Sequence, residues 1–243
     1  MKISEALAKR RKSLSSDSKS VLTLIGGTTI AQALNFIFSP ITTRLFSPEV
    51  FGDLSVFTSI TGIIGIIICL RYELAIVLPQ DDDEGFSLLK LCLIFATIIS
   101  ILAGIIFLFA GNAIYVSFGA PNLVQYWYYV PISLFLTGII QACNYWLTRT
   151  RQFVVLSWNK VIPVIVVNVV SIGLGLLGNR ALGARLFAIF LSNIANIAVL
   201  AKAVAPEFIS KKYATHSNYQ QLIKKYKNFL IYDIWGAFIK MGT

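Results

Sequence analysis

Charged residues are scarce in this sequence. Asp, Glu, Lys and Arg make up 13% of its 243 residues, where about 25% is usual in a soluble domain. Hydrophobic residues account for 56%, and the mean hydropathy is +0.74. So few charges could not cover the surface of a soluble protein of this size, so much of the apolar surface must face lipid. The composition excludes a soluble globule and predicts an integral membrane protein.

Histidine and cysteine are also scarce. The single His216 has no cysteine or histidine neighbour at metal-ligand spacing, which argues against a zinc site. Cys69, Cys92 and Cys143 all fall inside apolar runs, and an odd number of buried thiols gives no disulfide framework. We therefore expect no structural metal and no cofactor.

Positive charge is the exception, with a net charge of +10. A basic stripe along one face is typical of proteins that bind the phosphates of nucleic acid. Here the Lys and Arg residues lie at the edges of apolar runs instead. We therefore expect no nucleic-acid partner.

Six apolar runs are long enough to cross a bilayer, whose core of about 30 Å needs roughly 20 helical residues. They are Val21–Thr43, Phe51–Leu70, Phe86–Ala110, Tyr126–Leu147, Val161–Gly178 and Leu186–Ala205. The first is too long for the core of a signal peptide and has no small-residue cleavage pattern, so we expect it to be retained. The predicted fold class is an all-α integral membrane protein, a six-transmembrane-helix bundle. A seventh run starts at Phe229, and we interpret it as a truncated helix.

The distribution of Lys and Arg predicts the orientation, because basic residues remain on the cytoplasmic side. If the six runs alternate, 17 basic residues fall on the side of the N-terminus. Only Arg44, Arg180 and Arg185 fall on the other side. The predicted organisation is a basic cytoplasmic segment 1–20, a transmembrane bundle 21–205, a basic cytoplasmic linker 206–228 and the truncated helix 229–243.

Polar side chains inside the apolar runs are the first candidates for function. Three pairs share a helix face because their members are three residues apart: Gln32 with Asn35, Asn168 with Ser171, and Asn193 with Asn196. Two interpretations stay open. The pairs either form hydrogen bonds between helices or line a polar cavity.

Arginines at the ends of the runs are the second candidates. Arg44, Arg71, Arg149 and Arg151 are each either an interfacial anchor or a ligand for an anionic head group, because the planar guanidinium matches phosphate oxygens. The acidic run 81–84 lacks the spaced ligands of a calcium loop. We predict a solvated turn there.

Signatures of enzymes are missing. The runs contain no pair of carboxylates, no nucleophile–His–acid set surrounds the lone histidine, and there is no P-loop. We therefore predict that the protein is not an enzyme and has no catalytic residues.

Three segments resemble a known family. SPITTRLFSPEVFG at 39–52 resembles the segment joining the first two helices of the polysaccharide-biosynthesis, or O-antigen flippase-like, family. RYELAIVLP at 71–79, followed by acids, resembles that family's signature at the inner end of helix two. QACNYW at 141–146 is similar to the end of helix four. The resemblance extends over about residues 21–228.

The resemblance implies the multidrug/oligosaccharidyl-lipid/polysaccharide exporter superfamily, whose members pair two six-helix lobes around a central cavity. The implied substrate is an oligosaccharide on undecaprenyl diphosphate, moved across the bacterial inner membrane for surface polysaccharides such as the O-antigen of lipopolysaccharide. Arg44, Arg71, Arg149 and Arg151 would then hold diphosphate or acidic sugars. The amides of Gln32, Asn35 and Asn144 would meet sugar hydroxyls. Implied partners are membrane lipid, the lipid-linked oligosaccharide and glycan-synthesis proteins.

One departure and two alternatives accompany this interpretation. The six runs correspond to the N-terminal lobe alone, so we expect a truncated form. A cation-coupled exporter of small drugs would need a carboxylate in the membrane, for which Asp53 is the only candidate in the six runs. A non-transporting scaffold would dock glycan-synthesis enzymes through its basic cytoplasmic segments.

The predicted topology can be tested by labelling single cysteines introduced into a cysteine-free chain. A membrane-impermeant thiol reagent added to intact cells should label positions in 111–125 and leave positions in 1–20 unlabelled. Labelling of both segments from the same side would contradict the assignment of six crossings.

Overall fold

The computed structural model describes the backbone of residues 2–209 and 219–227, and the side chains of residues 22–208 and 219–227. These parts of the chain are helical and contain no strand. The helices are α1 (Lys2–Leu45), α2 (Pro48–Ile66), α3 (Asp82–Ser117), α4 (Tyr129–Arg149), α5 (Phe153–Leu176), α6 (Leu182–Ile209) and α7 (219–227). Short 3-10 helices span Tyr72–Val77 and Pro121–Tyr126.

Six of the described helices, α1 to α6, are long and apolar enough to cross a bilayer. This confirms the predicted six-helix bundle, and the chain is a multi-pass membrane protein. Helix α1 continues without a break from 2 to 45, although only Leu22–Leu45 has the composition of a span. Part of the predicted linker (210–218 and 228) and the predicted truncated helix (229–243) lie outside the described residues.

The helices form a chain of neighbours in the order α1, α5, α6, α4 and α3, and α2 packs against α4 and α6. Because successive helices cross in opposite directions, their connections gather at two ends. We call end I the end that holds the α1–α2, α3–α4 and α5–α6 connections. End II holds the α2–α3 and α4–α5 connections and the C-terminal end of α6.

Two helix boundaries differ from the predicted runs. Helix α2 ends at Ile66, short of Leu70, because Leu70 and Arg71 adopt positive φ values of 50° and 63°, which a right-handed helix does not accommodate. Helix α5 begins at Phe153, eight residues before the predicted Val161. The added turns are mostly apolar, and a neighbouring helix satisfies one of their few polar side chains: Ser157 Oγ donates to the Thr23 carbonyl of α1 at 2.7 Å.

The prediction of a solvated turn at 81–84 is wrong. Asp81 is the N-cap of α3, and its carboxylate accepts a hydrogen bond from the Asp83 amide at 3.1 Å. The three acids that follow occupy the first turn, where negative charge is favoured by the helix dipole. Two of them are also paired: Asp82 with Arg149, and Glu84 with Lys225. The acidic run therefore begins α3 and connects it by ion pairs to α4 and α7.

The largest buried side chains at end II form an aromatic core. The Trp146 ring lies edge-on to Phe86 at 5.3 Å between centroids, and Phe208 of α6 lies 4.6 Å from the same phenylalanine. The Trp146 indole N–H donates to the Glu207 carboxylate. Helix α7 docks beside this core, where the Tyr72 hydroxyl donates to the Ile223 carbonyl at 3.1 Å. Burial raises the pKa of Tyr72, in keeping with a protonated phenol that donates this bond.

The close packing of α3 on α4 depends on a glycine. A Cβ atom added at Gly138 would overlap Ala96 Cβ and lie 3.2 Å from Ile68 Cγ1. Small residues at such a crossing let two helix backbones approach closely, which stabilises helix pairs in lipid. Gly138 therefore determines how closely α4, which carries several of the polar residues described below, can approach α3.

We expect Gly138→Ala to lower the unfolding free energy by about 1–3 kcal/mol, because the extra methyl group over-packs this contact. The thermal unfolding midpoint in detergent would measure it. Gly62→Ala is the matched control, since no atom lies within 4 Å of its added Cβ and alanine is the better helix former. A G138A variant that melts with the wild type would contradict the close contact.

Candidate functional site

A cavity of about 360 Å³, lined by both polar and apolar groups, opens between α1, α4 and α5, towards end II. Helix α4 contributes most of its polar side chains, α5 adds one lysine and one leucine, and α1 adds one leucine. The lining residues are Leu24, Gln141, Asn144, Tyr145, Thr148, Leu156 and Lys160. The volume lies within the usual range for a small-ligand site, about 300–1,000 Å³.

The helical repeat explains why these residues meet. Gln141, Asn144, Tyr145 and Thr148 follow one another at spacings of three, one and three residues, so they lie along a single face of α4. The lysine on α5 lies one turn after Leu156 and shares its face. The early start of α5 is what brings its first turns alongside α4.

Hydrogen bonds hold three amides in place around the cavity. Asn159 Nδ2 of α5 donates to Asn144 Oδ1 of α4. Gln141 Nε2 donates to the Gly65 carbonyl of α2 at 3.2 Å. Two acceptors are left over, because Gln141 Oε1 and Asn159 Oδ1 are buried and receive no hydrogen bond from the described residues. A buried oxygen without a donor is costly, and Gln141, which lines the cavity, therefore favours a ligand rich in hydroxyl groups.

The charge of the cavity is positive. Among the described residues, Lys160 is the only charged side chain that lines the cavity, and none of their carboxylates lines the wall beside it. An ammonium at the mouth of a neutral polar cavity attracts phosphate or an acidic sugar through charge-assisted hydrogen bonds. The cavity therefore combines positive charge for an anion with acceptors for hydroxyls.

A second cavity of about 290 Å³ lies between α2, α4 and α6 and shares Gln141 with the first. Its polar lining consists mainly of hydroxyls, those of Thr58, Thr61, Ser133 and Thr137, together with the Asn193 amide. Ser133 Oγ is buried and has no partner among the described residues. Polar groups thus follow α4 from the middle of the bundle to end II.

The amides predicted as ligands separate into two groups. Asn144 lines the first cavity, and Asn193 of the three helix-face pairs lines the second. Gln32 and Asn35 of α1 are exposed and line neither. Asn35 Oδ1 instead accepts a hydrogen bond from Asn168 Nδ2 of α5 at 3.3 Å. For these two residues the structure therefore shows a hydrogen bond between helices, which is one of the two interpretations of the polar pairs.

Arg149 joins three elements at end II. Its Nη1 donates to the carbonyls of Ile76 and Pro79 at 3.0 and 2.8 Å. Its Nε and Nη2 both contact Asp82 Oδ1, at 3.0 and 2.8 Å. Only 9% of the Arg149 side chain is exposed, and Gly85 makes room for it, since a Cβ there would lie 2.9 Å from Nε. The guanidinium thereby holds the α2–α3 connection against the C-terminal end of α4.

The other three motif arginines line neither cavity. Arg71 and Arg151 both adopt left-handed backbone conformations, with φ of 63° and 55°, and Arg71 forms an ion pair with the buried Glu73 at 3.4 Å. Arg44 is exposed in the last turn of α1, at end I. The roles of all four arginines as substrate ligands stay predictions from the resemblance.

Sequence reasoning missed Asn159 and Lys160 as site residues. Both precede Val161, the predicted start of the fifth run, and therefore fall outside the predicted span. The available signal was the helical phase: Leu156 and Lys160 are four residues apart, and the polar residues 157 and 159 interrupt an otherwise apolar stretch. Gln141 was visible in the QACNYW motif, but its position between the two cavities depends on the packing of α2 and α4.

Asp53, the carboxylate that a cation-coupled exporter would need, lies near end I. It is 6% exposed, and its Oδ2 accepts a hydrogen bond from Asn122 Nδ2 at 3.0 Å. It lines neither cavity. Among the described residues there is no cluster of three or more His, Cys, Asp and Glu side chains that could hold a metal ion.

Comparison with known proteins gives one positive result. The family model described as polysaccharide biosynthesis protein matches residues 18–232, which include every residue of both cavities. No curated protein and no solved structure matches the chain significantly.

The Arg149 contacts predict a structural effect that is separable from any role in binding. Arg149→Ala leaves two carbonyls and a carboxylate without their donor, and we expect the unfolding free energy to fall by about 2–4 kcal/mol. Arg149→Lys retains the positive charge but lacks the planar guanidinium that donates to several acceptors at once. It should therefore recover only part of the lost unfolding free energy. Arg44→Ala is the control, because Arg44 is exposed. Equal unfolding midpoints for the wild type and R149A would contradict the assignment.

Proposed function

Because the chain belongs to the polysaccharide biosynthesis protein family, we propose that it is a membrane transporter of the lipid-linked oligosaccharide flippase type and not an enzyme. Its proposed substrate is a glycan on undecaprenyl diphosphate. The glycan would move across the bacterial inner membrane for the synthesis of surface polysaccharide. The resemblance of residues 39–52, 71–79 and 141–146 to that family's motifs supports this choice.

The cavity beside Gln141, Asn144 and Lys160 is the observation that carries the proposal. A glycan is dense in hydroxyl donors, and the lining residue Gln141 carries a buried acceptor, Oε1, that has no donor from the described residues. The Lys160 ammonium at its edge would meet the diphosphate or an acidic sugar. An apolar drug would satisfy none of these groups, because a site built from buried polar atoms discriminates against ligands that leave them unpaired.

The proposed orientation places end II and the N-terminus in the cytoplasm. Support comes from the 17 basic residues on that side against three on the other. The first cavity opens towards end II, so the substrate would enter from the cytoplasmic leaflet. A second helical bundle, from a longer chain or a second copy, would provide the opposite wall and complete the site.

The two alternatives receive less support. A cation-coupled exporter would place its carboxylate where substrate and cation meet, whereas Asp53 lies near end I and is bonded to Asn122. A scaffold would need the basic segment 206–228 for docking and no polar cavity at all. Glycan-synthesis proteins remain proposed partners at that segment.

Lys160→Gln and Asn144→Leu test the proposal in a bacterial strain whose surface glycan depends on the protein. We expect surface glycan to fall by about tenfold in each variant, because a charged or buried hydrogen bond to the substrate is lost. Completed carrier-linked oligosaccharide should accumulate on the cytoplasmic side, and the amount of protein in the membrane should be unchanged. Surface glycan measured by gel and antibody gives the first readout, and mass analysis of the extracted carrier lipid gives the second.

Lys202→Gln is the matched control, since Lys202 is an exposed lysine of α6 that lines neither cavity. It should leave glycan display unchanged. Incomplete oligosaccharide on the carrier would indicate an enzyme or an enzyme scaffold and overturn the proposal. Wild-type display by K160Q and N144L together would also overturn it.

A further inference from the structure

Arg185, in the first turn of α6 at end I, has an unusual environment for a charged side chain. Its guanidinium carbon lies 5.4 Å from the ring centroid of Phe46 and 5.3 Å from that of Phe51. These two phenylalanines lie on either side of the α1–α2 turn. From this arrangement we propose that Arg185 is an anion site that binds a phosphate group at end I.

The guanidinium of Arg185 is partly buried and lacks acceptors. Its Nε and Nη1 are buried and have no hydrogen-bond partner among the residues that the structure describes. Arg185 also forms no ion pair among the described residues. Buried charges in proteins are otherwise paired and hydrogen-bonded. The buried carboxylate Asp53, on the same end of α2, is bonded to Asn122 instead.

The surroundings favour phosphate over other anions. The two aromatic rings attract the guanidinium and hold it at this position, while its N–H groups can meet two phosphate oxygens at once. The position in the first turn of α6 adds to this, because helix N–H groups there repel a lone cation and attract an anion. End I lies where a membrane-spanning helix meets the head groups. The phosphate could belong to a lipid head group or to free phosphate.

This site does not depend on the proposed transport function. It lies at the opposite end of the bundle from the Lys160 cavity, and it shares no residue with either cavity. A failure of one proposal therefore leaves the other standing.

The test uses the full chain, purified in a phosphate-free detergent and stripped of lipid. The unfolding midpoint is measured against sodium phosphate, with sodium chloride at equal ionic strength as reference. It is also measured against phosphatidylglycerol, with a phosphate-free galactolipid as reference. We expect a phosphate-bearing probe to raise the midpoint of the wild type above its reference. Arg185→Gln should weaken the apparent affinity for that probe by about tenfold or more.

Arg180→Gln is the matched control, because it removes an equal charge from an exposed arginine at the same end and should leave phosphate binding unchanged. Without phosphate, R185Q should be at least as stable as the wild type, since it removes an unpaired, partly buried charge. A purely structural arginine would give the opposite result. If R185Q does not fold, Arg185→Lys takes its place, because it retains the positive charge but lacks the planar guanidinium. It should bind the phosphate-bearing probe at least several-fold more weakly than the wild type.

The outcomes distinguish the sources of the phosphate. Stabilisation by phosphatidylglycerol alone assigns the site to a lipid head group, and stabilisation by both probes assigns it to phosphate in general. Equal response to a probe and its reference in the wild type overturns the proposal. Equal phosphate affinity in the wild type and in R185Q, or in R185K where R185Q does not fold, also overturns it.

Discussion

The absence of water from the bilayer core is the constraint on which this structure depends. Every buried polar group there must find its partner inside the protein or leave a cost that a ligand can remove. The chain follows this rule closely along most of its length: Ser157 bonds to α1, and Asn168 bonds to Asn35. The exceptions are informative for that reason. Gln141, Asn159 and Arg185 are three of several described residues that retain buried polar atoms without a partner in the described part of the chain.

Two contacts at end II determine where Gln141 lies. Arg149 joins the α2–α3 connection to the end of α4, and Gly138 lets α4 lie directly against α3. Together they fix the position and rotation of α4. Because of this rotation, Gln141 points towards α2 and Asn144 points towards α5 instead of towards lipid. Structural arginine and polar cavity are therefore parts of one arrangement.

The two ends of the bundle differ in the partners of their charged side chains. At end II the acids of α3 are paired with Arg149 and with Lys225 of α7, and Lys160 lies at the cavity. At end I the charges are few, and the guanidinium of Arg185 faces aromatic rings in place of a carboxylate.

The amino-acid sequence by itself determined the class of protein, the number of crossings and the family, because these depend on composition and on short contiguous motifs. Hydrophobicity is a local property, so six apolar runs predicted six helices with errors only at their ends. Partners are not local. Asp82 meets Arg149 across 67 residues, and Asn159 meets Asn144 across a helix connection. Only tertiary packing decided which polar side chains found a partner among the described residues and which did not, because that depends on the rotation of each helix against its neighbours.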